Sequence, residues 1–133
     1  MNRQTVTRSL VAFVGVLLGL VGLLHAVVNV RGLQRAVARG ELAERLEPQM
    51  MANVVFGGAM LSMSGAILLL VAFGLSTPHR TLWSIGVLIG LFLFAMGVAA
   101  YVWEPIPSVL LFAVLGALVC APLLLWHKGF TTR

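Results

Sequence analysis

Among the polar or ionisable side chains within or beside the long apolar runs of this 133-residue chain, six are candidates for chemistry: His25, Asn29, Arg31, Asn53, Tyr101 and Glu104. Such groups are costly at hydrocarbon depth, so each is a functional candidate by default. His25 and Asn29 are four residues apart and therefore share one side of a helix. In the functional reading, His25 accepts a proton or binds a ligand, Arg31 and its neighbouring arginines clamp an anion, and Asn53 orients it by a hydrogen bond. Tyr101 and Glu104 belong to the same end of the molecule. The competing reading treats all six as polar contacts between helices, together with aromatic and charged interface anchors.

Several chemistries can be tested against the residues they require. Exchange of protons for cations wants a carboxylate inside the membrane, and the four acidic residues, all glutamates, lie outside the uncharged runs. A bis-histidine haem needs two facing histidines at one depth. His25 is predicted at one end of the molecule and His79 and His127 at the other, which leaves only the latter pair as a candidate. Cys120 is the only cysteine, so thiolate zinc sites and an intrachain disulfide are out. Met60-x-x-Met63, with Cys120 or His25, offers soft donors to Cu(I). Methionines in apolar helices, however, usually serve as adaptable filler. Phosphate loops, G-x-S-x-G elbows and H-E-x-x-H motifs do not occur. Neither a cofactor nor a metal site is expected.

The elements that must position these residues follow from the uncharged runs. Residues 10–30, 50–75, 82–103 and 107–126 contain no Asp, Glu, Lys or Arg. About 20 apolar residues at 1.5 Å each cross roughly 30 Å of hydrocarbon, so each run qualifies as a transmembrane helix. No run shows the two-residue alternation of a barrel strand. With 60% hydrophobic and 10% charged residues, the chain is neither a soluble globule nor disordered. Its mean hydropathy is +1.04. The short connections 76–81 and 104–106 require antiparallel neighbours. An all-α membrane protein is predicted: one integral domain over residues 1–133, folded as an up-down-up-down four-transmembrane-helix bundle. The first run, at 21 residues and without an A-x-A end, reads as a retained helix rather than a cleaved signal peptide.

The connector 31–49 carries most of the remaining charge. Arg31, Arg35 and Arg39 repeat every four residues and line one helix face. This segment is either an interfacial amphipathic turn or a continuation of the first helix, with Gly40 as its stop. Glu41, Glu44 and Glu47 precede the second helix, where negative charge is favoured, and Pro48 suits its first turn. Glu41 and Arg45 have the spacing of a helical ion pair. A net charge of +5 and a pI near 11.2 would suggest nucleic acid for a soluble protein. Here they report orientation instead, and no nucleic-acid partner is expected. Arg3, Arg8, Arg80, Lys128 and Arg133 fall on one membrane face, against Arg31, Arg35, Arg39 and Arg45 on the other. All four glutamates lie on the second face, so the net positive charge sits on the first, and both termini are expected in the cytoplasm.

Close helix packing is predicted at Gly15-x-x-x-Gly19, Gly58-x-x-x-Ser62 and Gly86-x-x-x-Gly90. The segments at 15–20 and 86–91 also echo each other, as a duplicated hairpin would. Gly22-Leu23-Leu24-His25, Asn53-x-x-Phe56-Gly57-Gly58-x-Met60 and Gly65 together resemble small four-span bacterial membrane proteins of unassigned function. That resemblance implies a bacterial inner-membrane location and no activity. A fainter similarity is to the membrane-associated eicosanoid and glutathione metabolism family, which has a basic connector and a second helix opening with glutathione-binding Arg, Asn and Glu. Arg45 and Asn53 match by type, but Phe56 stands where the acidic residue is expected, and the third helix has no arginine. The expected function is that of a self-associating or accessory membrane subunit whose partners are the bilayer and a copy of itself or another membrane protein. The alternative is a small membrane enzyme or a protein that binds a lipophilic ligand through His25, Asn53 and the connector arginines.

Overall fold

Residues 2–103 and 105–131 are described by a computed structural model that is all-helical, with no strand among them. Helix α1 spans Arg3–Ala38. Asn2 caps its start: Oδ1 accepts the Gln4 N–H at 3.2 Å, and the Asn2 carbonyl accepts the Val6 N–H at 3.1 Å. The helix runs through the first half of the basic connector, which settles the choice between a separate turn and a continuation. It stops at Gly40, whose φ of 71° is accessible to glycine without steric cost. The Glu41 N–H reaches back to Ala36 O and the Gly40 N–H to Val37 O, both at 2.9 Å. This paired arrangement satisfies carbonyls that a helix end would otherwise leave unbonded.

A 3-10 turn at Glu44–Leu46 leads into α2, Glu47–Gly74, with Glu47 and Pro48 in its first turn as expected. Helix α3 spans Arg80–Trp103. A second 3-10 turn, Pro107–Val109, precedes α4, Leu110–Leu125, and a short α5 covers Lys128–Thr131. Four of these segments, Arg3–Ala38, Glu44–Gly74, Arg80–Trp103 and Pro107–Leu125, are long and apolar enough to cross a membrane. Their most apolar windows are at most 39% buried. Phe56, Phe73, Val102 and Trp103 stand outward at 67%, 69%, 77% and 92% exposure. Soluble monomers rarely expose large contiguous apolar patches, so this exterior is suited to lipid.

The chain forms two compact units. The first contains Val16–Ala66, a helical hairpin made of the later part of α1 and the earlier part of α2. Here Gly22 approaches α2 so closely that an added Cβ would lie 2.5 Å from Gly58 O and from Ser62 Oγ. A Cβ on Gly58 would lie 2.6 Å from Gly22 O and 2.8 Å from the Ala26 Cβ. Ser62 Oγ also donates to Gly19 O at 3.3 Å. Small residues let the backbones meet, as expected for Gly58 and Ser62. Their partner on α1, however, is Gly22-x-x-x-Ala26. A Cβ on Gly19 would meet nothing within 4 Å.

The second unit contains Met1–Gly15 and Ile67–Arg133. Its core is the α3–α4 contact. A Cβ on Gly90 would lie 2.6 Å from Cys120 Sγ and 3.1 Å from Gly116 O. One on Gly86 would lie 2.9 Å from Leu123 Cδ1 and 3.1 Å from Val71 Cγ1. Gly97 abuts the Ala113 backbone. As residue numbers rise along α3 they fall along α4, so the two helices run in opposite directions. Val11, Val14, Leu68, Val71, Val119 and Leu123 of this unit are fully buried, and Gly15 is buried too. Gly86 and Gly90 are therefore spent on packing within the chain.

Candidate functional site

Of the six polar candidates, the hairpin unit holds His25, Asn29, Arg31 and Asn53. One turn of α1 separates His25 and Asn29. Asn29 Nδ2 lies 3.1 Å from His25 Nδ1 and 2.8 Å from the His25 carbonyl. An amide NH2 has two hydrogens, so it can donate to both acceptors. In that tautomer the His25 proton sits on Nε2. The ring then presents its Nε2–H as a donor.

The His25 ring lies over Gly57 of α2, where an added Cβ would come within 3.8 Å of Nε2. Asn53 is one turn before Gly57 and shares its face of α2. The hairpin register, with Gly22 at Gly58 and His25 at Gly57, sets Asn53 level with Asn29. Two neighbouring rungs of the hairpin thus carry His25, Asn29 and Asn53. All three are exposed. Arg31 and Arg35 follow on α1, also exposed. Tyr101 belongs to the other unit, at 37% exposure, and Glu104 lies outside the described residues.

The connector departs from its expected ion pair. Glu41 is bonded to Arg39, with Nε to Oε1 at 2.7 Å and Nη2 to Oε2 at 2.9 Å. Residues 41–43 are not helical, so the four-residue spacing of Glu41 and Arg45 does not place them on a common face. The two-pronged Arg39–Glu41 pair is more than half exposed on both sides and is worth at most about 1 kcal/mol.

A second polar constellation, not legible in the sequence, lies at the end of the larger unit where α1 and α3 begin and α2 and α4 finish. Helix C-termini leave carbonyls without partners, and long side chains can supply the missing donors. Arg8 Nε donates to Ala72 O at 3.0 Å, near the end of α2. Trp83 Nε1 donates to Leu123 O at 2.9 Å, in the last turn of α4. Gln4 Nε2 donates to Gly129 O at 2.6 Å, within α5. These are contacts between segments far apart in the chain, and no local spacing announces them. The same end holds His79, whose Nδ1 lies 3.5 Å from the Leu82 N–H at the start of α3. His127 is there too, with Nδ1 3.2 Å from Leu124 O.

Cys120 is buried, and its thiol donates to Val87 O at 3.3 Å. Among the described residues, no group of three or more His, Cys, Asp or Glu side chains is arranged to hold a metal ion. Among the described residues, the arrangement supplies hydrogen-bond donors and cations on surfaces. Compared with protein families, curated proteins and solved structures, the chain matches none.

Proposed function

We propose that this chain is a small multi-pass protein of the bacterial plasma membrane: an up-down-up-down four-helix bundle with cytoplasmic termini, working as a non-catalytic subunit that associates with a copy of itself or with another membrane protein. The observation that carries this reading is the exposed His25–Asn29 pair with Asn53 alongside, on a hairpin that away from its charged connector exposes mainly apolar side chains such as Leu23, Leu24, Val28 and Phe56. Lipid cannot satisfy amide and imidazole groups, whereas a second helix presenting its own polar groups can. The close-packing glycines Gly22, Gly58, Gly86 and Gly90 are occupied inside the chain, so association must use a different surface. The resemblance to small four-span bacterial proteins points to the same class and location.

The test is native mass spectrometry of the protein released from lipid nanodiscs. Wild type should run as a homo-oligomer or with a bound protein partner, and a His25→Leu/Asn53→Leu double variant as a monomer. A monomeric wild type without a partner overturns the reading. The exposed Arg31 and Arg35 beyond the patch favour a second reading, binding of an anionic lipophilic ligand. In that case the same spectra would show a small hydrophobic adduct that disappears in His25→Ala.

A further inference from the structure

We infer that the groove between α1 and the end of α2 holds the phosphate of an anionic membrane lipid, with Arg8 as the cation that binds it. Thr5, Arg8, Ser9 and Ala12 of α1 line a cleft of about 210 Å³ together with Ala72 and Phe73 of α2. Spacings of three and four residues keep the first four on one side of α1. The guanidinium is held in place: Nε donates to Ala72 O at 3.0 Å, and the side chain is partly buried. Rotamer freedom that a loose arginine would lose on binding is therefore already lost on folding. That bond occupies Nε only, and the Nη1 and Nη2 donors have no partner among the described residues. Ser9 Oγ is in the same position. Hydroxyls inside helices often bond the carbonyl one turn back, as Thr7 does to Arg3 O at 3.0 Å and Ser64 to Met60 O at 2.9 Å. Ser9 makes no such bond and lines the groove exposed, beside Arg8.

A planar guanidinium fork beside a hydroxyl is a donor set that matches phosphate oxygens, which only accept. The depth of the groove and its second wall point to a lipid rather than free phosphate. The first uncharged run opens at Leu10 and α2 ends at Gly74, so the groove sits at the edge of the apolar spans, where headgroups lie. Phe73 is 69% exposed, and Leu70, one turn deeper on the same side of α2, is 68% exposed. An acyl chain covers this flank, whereas inorganic phosphate leaves it in water. The cleft is smaller than the roughly 300–1,000 Å³ that enclose a whole small ligand, so it admits the headgroup while the chains remain in the bilayer. This site rests on the membrane reading above but not on the His25 patch.

The experiment reconstitutes the full chain in nanodiscs of equal phosphatidylglycerol and phosphatidylcholine, and reads the ratio of retained lipids by native mass spectrometry. Wild type should retain phosphatidylglycerol preferentially. Arg8→Gln should lower that selectivity about five-fold or more, the preference that one juxtamembrane cation contributes. Arg8→Lys keeps the charge but not the fork, and should still lower it by at least about two-fold. Ser9→Ala changes no charge and removes one exposed hydroxyl, with an expected loss of about two- to ten-fold. Arg45→Gln, on the connector, should leave selectivity unchanged. If the Arg8 variants fail to fold because the bond to Ala72 O is lost, Ser9→Ala decides alone. Wild-type selectivity in Ser9→Ala or in folded Arg8→Lys, an equal loss in Arg45→Gln, or displacement of the lipid by millimolar inorganic phosphate overturns the site. A wild-type chain that resists alkaline carbonate extraction from vesicles yet retains both lipids equally overturns the site and leaves the membrane reading standing. Release by carbonate overturns both.

Discussion

Replacing Gly116 by alanine tests whether the α3–α4 seam is as close as the structure places it. The new methyl would collide with Phe94 N, lie 2.5 Å from Gly90 O and lie 2.8 Å from Phe94 Cα. All three are backbone atoms, so no side-chain rotation relieves the contact, and the helices must part. Ordinary separation requires roughly 1 Å of movement, and a gap of that size forfeits a quarter to a half of each dispersion contact across the seam. Overpacking of this kind costs about 1–3 kcal/mol, against which alanine recovers up to about 1 kcal/mol of helix propensity over glycine. The net expectation is a loss of about 1–2 kcal/mol. The same substitution at Gly19, where a Cβ would meet nothing within 4 Å, should instead gain up to about 1 kcal/mol. Two chemically identical changes are thus separated by about 2–3 kcal/mol and opposite in sign, which is more than a tenfold difference in equilibrium constant. Unfolding in mixed micelles by titrated SDS, followed by far-UV circular dichroism, measures both. If Gly116→Ala is as stable as wild type, or if the two variants shift the same way, the packing argument is refuted.

Other consequences concern the helix ends and the cysteine. Gly40→Ala forces a methyl into the left-handed region at φ 71° and should cost about 1–2 kcal/mol, seen as faster amide exchange over the last turn of α1. Trp83→Phe keeps an aromatic six-membered ring but removes the pyrrole half of the indole with its N–H bond to Leu123 O, and should lower stability in the same SDS titration by at least about 1 kcal/mol. Cys120, buried between α3 and α4, should resist maleimide until SDS separates the helices; prompt labelling of the folded protein would contradict its placement. Arg39→Ala removes an exposed ion pair and should change stability by less than about 1 kcal/mol, so a larger loss would show that the pair is shielded.

Much of the helical architecture could be read directly from residue order. An uncharged run long enough to span hydrocarbon is a local property, and the four runs match the four apolar helices, with only Leu75 and Trp126 falling one residue past a helix end. The stop at Gly40 and the acidic, proline-bearing start of α2 were equally local, because caps act over one turn of chain. His25 and Asn29 were legible as a pair for the same reason, since four residues make one helical turn.

Which small residues meet which was a different matter. Gly15-x-x-x-Gly19 and Gly22-x-x-x-Ala26 look alike in the sequence, yet the second is the seat for Gly58 and Ser62, while Gly19 stays open. Spacing marks a narrow helix face; only the rotation and register of the partner helix decide whether that face is used. Arg8 makes the same point. By sequence it is one of several basic flanks, and the fold turns it into a donor to a carbonyl 64 residues away. Unbonded carbonyls at helix ends exist wherever helices finish, but the side chain that answers them is chosen by proximity in space. Composition and periodicity therefore determined that this is a chain of four apolar helices with polar groups near their ends. Tertiary structure alone decided the pairing of those ends, because a helix's own geometry reaches one turn and the contacts between helices join residues dozens of positions apart.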